Sequence, residues 1–189
     1  MFEKIKYVVN YVKAVKRVQE SGLDLNSYIN NLTSEKELEV QGHEIKVVTD
    51  DTSVFASGFR YGLCNVMPDG GITIVKETKA AKLGIEDFLI HHEIGHLVNE
   101  VFNNPFSFMM NIRSLVDEQN ADLYSARQIG FDKALEALSI LAKDKSIDTN
   151  EIKLRIEFIE RAKAREEKYA VEKEEVMKSI EEKLSTLRK

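Results

Sequence analysis

In the stretch "HHEIGHLVNE", His91 to Glu100, two histidines stand four residues apart with a glutamate directly after the first. The chain holds only 4 histidines, and three of them are here. On a helix, one turn separates His92 from His96, so both imidazoles leave the same face. Two imidazoles so placed can reach a zinc ion at about 2.0–2.1 Å, yet a catalytic zinc needs a third protein ligand as well. The fold must therefore bring a donor to this helix from another element. Few features restrict a chain more tightly.

The flanking residues say which way that helix faces. Phe88, Leu89, His92, His96 and Val101 form one stripe, so the paired histidines lie on the apolar, core-facing side. Buried imidazoles need partners, and one metal satisfies two together. Glu93 sits about a quarter turn from His92, which unfits it as a ligand but suits it to hold a water as general base. This is the His-Glu-x-x-His arrangement of zinc hydrolases. His91 is off the stripe and is expected at the surface or in a supporting position.

The third ligand is narrowed by what the chain lacks. Cys64 is alone and lies in a β-rich stretch, where a buried structural thiol is the expectation, and His43 is far upstream. A carboxylate is expected instead, and "DEQNADLY" offers Glu118 with Asp122 four residues on. Glu118 can complete the site while Asp122 accepts a hydrogen bond from a ligand imidazole, fixing its tautomer. Asp117 and Glu100 compete as ligands but lack a comparable companion one turn on.

The order "HHEIGH" followed by "EQNADLYSARQIGFDKALEAL" resembles the gluzincin metallopeptidases. Within them it is most similar to the group of the HtpX heat-shock membrane peptidases and the CAAX prenyl proteases. In that group the second motif is Glu-x-x-Ala-Asp, here Glu118 to Asp122, and the resemblance implies the same roles for its glutamate and aspartate. "VFASG" (Val54 to Gly58) resembles the family's strand ahead of its active-site helix, and Gly130 to Leu138 resembles a family helix start. The likeness covers about residues 45 to 160. It implies an α+β, zincin-like metallopeptidase domain with a small antiparallel sheet, an active-site helix and a mostly helical C-terminal half. Two departures stand out. Many members carry transmembrane helices, and this sequence shows none. The family's His-Pro before a final Arg-Ile is missing, although Arg155-Ile156 is kept. Tyr124, Arg127 and Arg155 are the candidates for stabilising an oxyanion.

Elsewhere the reading is coarser. At 189 residues, 43% hydrophobic and 31% charged, the chain is long and apolar enough for a folded core. Its net charge of -5 and the lack of a dominant basic cluster argue against nucleic acid as a partner. Residues 1–40 read as an amphipathic helical segment with Ile5, Val8, Val9, Val12 and Val15 on one side, with peripheral membrane contact as the sharper alternative. No signal peptide or membrane span is read there, and one cysteine gives no sign of an oxidising compartment, so a cytoplasmic location is expected. Residues 41–160 form the expected metallopeptidase domain, with strands before Thr78, a hairpin across Pro68 to Gly71, and helices after it. A helix is expected to start at Asp132 as its N-cap. Residues 161–189 read as a charged C-terminal helix, suited to a solvated face or a protein partner.

The expected function is zinc-dependent endopeptidase activity on a polypeptide, with zinc on His92, His96 and Glu118 and with Glu93 as base. A strand edge between Val54 and Val75 is expected to position the peptide. Two other readings fit the same residues. One is a non-catalytic scaffold acting through its C-terminal helix, against which an intact Glu93 speaks. The other is a dedicated regulatory peptidase that cleaves one repressor-type protein.

Overall fold

The computed structural model describes residues 32, 34–50, 62–66, 71–101, 114–143 and 149–187. The expected N-terminal helix, the Val54–Gly58 strand and the segment 103–110 lie outside them. The described elements run β1 (Ser34–Val40), β2 (His43–Asp50), β3 (Gly62–Val66), β4 (Ile72–Glu77), α1 (Thr78–Leu83), α2 (Glu86–His96), α3 (Leu115–Ile129), α4 (Phe131–Leu141) and α5 (Thr149–Leu187). A single π-helical turn, Leu97–Val101, extends α2. The architecture is α+β, with a mostly helical C-terminal half. Among the described residues no helix is long and apolar enough to cross a membrane.

The sheet has the order β1-β2-β4-β3. It is mixed rather than wholly antiparallel, because β2 and β4 run parallel, Ile45 opposite Ile72 and Val48 opposite Val75. The cause is local. The expected hairpin folds β3 onto the outer side of β4 in antiparallel register, leaving the inner side of β4 to β2. β1 corrects a second expectation, since Ser34–Val40 is a strand and not part of a helical segment. It pairs with β2 through a two-residue turn in which Gln41 (φ 52°) and Gly42 (φ 81°) are both left-handed. Such a turn matches the twist of the strands it joins, and glycine adopts that backbone at little cost.

α2 lies between the sheet and the other helices. Ile90, Ile94 and Leu97 face the sheet and bury against Ile45, Val47, Ile72 and Ile74. On its opposite side Phe88 and Leu89 join Ala126, Leu138, Ile152 and Ile159 from α3, α4 and α5. Each large side chain so buried contributes roughly 1.5–3 kcal/mol, so α2 is fixed from both sides. Lys76 adds a polar tie. It is buried on β4 and reaches Glu35 of β1 at 2.8 Å and Glu86, in the first turn of α2, at 2.6 Å. Those contacts outweigh the burial that would otherwise neutralise it, and its pKa is raised.

α3 opens at Ser114 with a capping box: Asp117 N–H donates to Ser114 Oγ at 3.3 Å, and Ser114 N–H to Asp117 Oδ2 at 2.7 Å. The residue that caps α4 is Gly130 rather than Asp132, whose carboxylate instead takes Lys163 of α5 at 2.6 Å. α5 runs unbroken from Thr149 to Leu187, with Ile152 and Ile159 fully buried and residues 168–184 exposed.

Candidate metal centre

His92, Glu93 and His96 all lie on α2, and Glu118 and Asp122 on α3. The two helices run antiparallel: Ser125 Oγ donates to the Phe88 carbonyl at 3.0 Å, and His92 Nδ1 meets Asp122 Oδ1 at 2.8 Å a turn further along. Their close approach depends on Gly95, the glycine within "HHEIGH". A Cβ there would stand 2.8 Å from Ala121 Cα and 2.9 Å from its carbonyl oxygen. Backbone cannot step aside as a side chain can, so any larger residue would push α3, and with it Glu118, away from the histidines.

Three side chains converge. His92 Nε2 and His96 Nε2 are 3.1 Å apart, Glu118 Oε2 is 3.4 Å from the first, and Glu118 Oε1 is 3.5 Å from the second. Ligand atoms at about 2.0–2.1 Å from a tetrahedral ion stand about 3.3–3.4 Å apart, so the triangle has the size such an ion requires. A buried His-His-Glu group of this kind can hold a metal ion. His96 is fully buried, and Glu118, with 18% of its side chain exposed, keeps the most contact with solvent of the three.

The surroundings favour a cation. Asp122 is fully buried and can only accept from His92 Nδ1, which puts the proton on Nδ1 and the Nε2 lone pair toward His96 and Glu118. Arg155 of α5 donates from Nε and Nη2 to Asp122, both at 2.7 Å, and stands with Nη1 3.0 Å from Glu118 Oε2. Burial alone would raise both carboxyls. For Glu118 the two imidazoles and Arg155 outweigh it and hold the group well below its usual value. For Asp122 the Arg155 charge does so, with His92 adding to it. Burial disfavours charge on His92 too, but Asp122 and Glu118 overcome it and lift its pKa from 6.5 to about 9. Two carboxylates against one guanidinium leave the cluster one positive charge short when both imidazoles are neutral. A proton on His92 fills that deficit; a bound divalent ion, bringing two charges, more than fills it.

The structure thus brings together His92, His96, Glu118 and Asp122 as expected from the sequence. Glu93 is buried on the same helix, and His91 turns away, its Nδ1 against the Asp87 carbonyl at 2.8 Å. Asp117 is committed to the capping box, and the side chain of Glu100 lies outside the described residues. Two oxyanion candidates change role. Arg155 has all three nitrogens facing carboxylates, and Arg127 pairs with Glu166 at 2.9 Å. Tyr124 packs against the cluster between α2 and the sheet. The commitment of Arg155 is hidden in the sequence because Asp122 lies 33 positions away, although an arginine between two buried isoleucine positions is a signal that something charged waits inside. Compared with known proteins, the chain matches no family model, no curated protein and no solved structure.

Proposed function

We propose that the chain is a zinc-dependent metalloendopeptidase of gluzincin type. The observation that supports this best is that Glu93 follows directly on His92 in the helix whose two imidazoles converge on Glu118. A site that serves stability alone has no need of a buried carboxylate at that position. Zinc is preferred because two imidazoles and one carboxylate form a donor set it favours. Bound there, it would supply Lewis acidity, polarising a carbonyl oxygen and acidifying water.

The chain's own residues would do the rest. The Glu93 carboxylate takes a proton from the attacking water and passes it to the leaving amine of the peptide bond. Asp122 keeps the proton of His92 on Nδ1, so the imidazole offers its lone pair where it is needed. β1 and β3 are the edges of the described sheet, and α2 packs against β3. An extended peptide adding to β3 would lie next to the helix that carries Glu93.

Metal analysis of Glu93→Gln and His96→Ala, each also assayed on an unfolded protein, tests the reading. Glu93→Gln is expected to keep about one zinc per chain and to cut cleavage by roughly 10²–10⁴-fold. His96→Ala is expected to lose both. Full cleavage by Glu93→Gln would overturn the mechanism, and wild-type zinc content in His96→Ala would overturn the site.

A further inference from the structure

We propose that Arg155 is a positioning residue for the metal centre: it holds Glu118 Oε2, so that Oε1 is the oxygen offered to the ion. This rests on the metal-site part of the reading above and not on peptide hydrolysis. A guanidinium carries its N–H groups in a rigid planar fork. Two arms of that fork, Nε and Nη2, are locked onto the fully buried Asp122 at 2.7 Å each. The direction of Nη1 is then no longer free, and it stands 3.0 Å from Glu118 Oε2. Both Glu118 oxygens lie near an imidazole, Oε2 3.4 Å from His92 Nε2 and Oε1 3.5 Å from His96 Nε2; the guanidinium engages Oε2, which leaves Oε1 as the oxygen free to approach the ion.

The arginine is itself held from both sides. Ile152 and Ile159, three residues before and four after it on α5, are fully buried. The helix therefore carries Arg155 into the core as a fixed strut. Glu118 needs such a strut. Its side chain has several rotatable bonds, and an unrestrained carboxylate can bind through one oxygen or two. Glu151 Oε1, at 3.9 Å from Nη1, is too distant to compete.

Electrostatics and geometry make opposite predictions here. A positive charge beside a cation site weakens binding by repulsion, so if charge were all that mattered, losing the Arg155 fork would do no harm. Positioning requires the reverse. Arg155→Lys separates the two, because lysine keeps the charge but is a single point that cannot serve both carboxylates.

Zinc affinity is to be measured by competition with a chromophoric chelator, beside the visible spectrum of the cobalt(II)-loaded protein. Wild type is expected to give the intense spectrum of four-coordinate cobalt. Arg155→Lys is expected to show wild-type circular dichroism, about 10–100-fold weaker zinc binding and a weaker cobalt spectrum as the second Glu118 oxygen joins the ion. Equal affinity and an unchanged spectrum in a folded Arg155→Lys overturn the proposal. If that variant does not fold, the wild-type spectrum decides, since six-coordinate cobalt there overturns it equally. A wild type that takes up no zinc removes the metal reading and this proposal together, whereas zinc binding without cleavage touches only the peptidase reading.

Discussion

The two ends of α5 are made of the same kinds of residue and behave differently. Near its start Arg155 meets Asp122 and Glu118 in the interior, at 2.7 and 3.0 Å. Near its end Lys178 meets Glu174 at 2.8 Å, an equally short contact, with both side chains 68% exposed. Distance does not separate these pairs; solvent does. Water screens the outer pair and competes for both partners, so it contributes little. The inner pair has no such substitute, and losing one member strands a charge in the core. The apolar residues divide in the same way, with Ile152 and Ile159 buried and Val176, Ile180 and Leu184 about half exposed. One end of the helix builds a site, and the other is solvated.

Breaking the inner pair is the most severe test of this contrast. Asp122→Ala leaves Arg155 buried with Glu118 as its one close carboxylate and Glu151 at 3.9 Å, and takes the partner from His92 Nδ1. Urea unfolding should show a loss of about 3–5 kcal/mol. A loss near zero would mean that the interior network is as dispensable as a surface pair.

The pH dependence of the metal-free protein sharpens the comparison at intermediate size. Glu118 and Asp122 have depressed values in the folded state, so their contribution is present above their ordinary values of 4.5 and 3.8. It is lost as pH falls through the lower folded values. His92 is raised to about 9, so its contribution is complete below 6.5 and disappears as pH climbs through about 9. Stability should therefore be greatest between these limits and decline on both sides. Zinc added between pH 7 and 8 should release the His92 proton, measurable by calorimetry in buffers of different ionisation enthalpy. A flat profile, with no proton released, would contradict the charge deficit drawn for the centre.

The smallest effect belongs to the outer end. Lys178→Ala should shift the urea midpoint by an amount equivalent to less than about 0.5 kcal/mol and leave zinc binding untouched. A loss above 1 kcal/mol would show that the tail is held by something other than solvent.

Much of the centre was legible in the sequence because it obeys helical periodicity. Residues four apart share a face, so His92 with His96 and Glu118 with Asp122 could be paired without coordinates. The hairpin of β3 and β4 and the turn to helices at Thr78 followed from the glycine and β-former patterns. What escaped depended on tertiary arrangement. β1 carries three glutamates and a lysine among its seven residues, a composition that reads as helix. Only the pairing with β2 and the Gln41-Gly42 turn make it a strand. The parallel contact between β2 and β4 leaves no local trace. Arg155 is one of three oxyanion candidates in the sequence, but which partner takes its fork depends on how α3 and α5 lie side by side.

X-ray absorption at the zinc edge of the zinc-loaded protein asks whether His92, His96 and Glu118 share one ion. The expected result is one tightly held zinc with four light-atom neighbours at about 2.0–2.1 Å, two of them showing the outer-shell scattering of imidazole, and loss of that signature in His92→Ala. A six-oxygen shell, or an imidazole signature that survives His92→Ala unaltered, would contradict it.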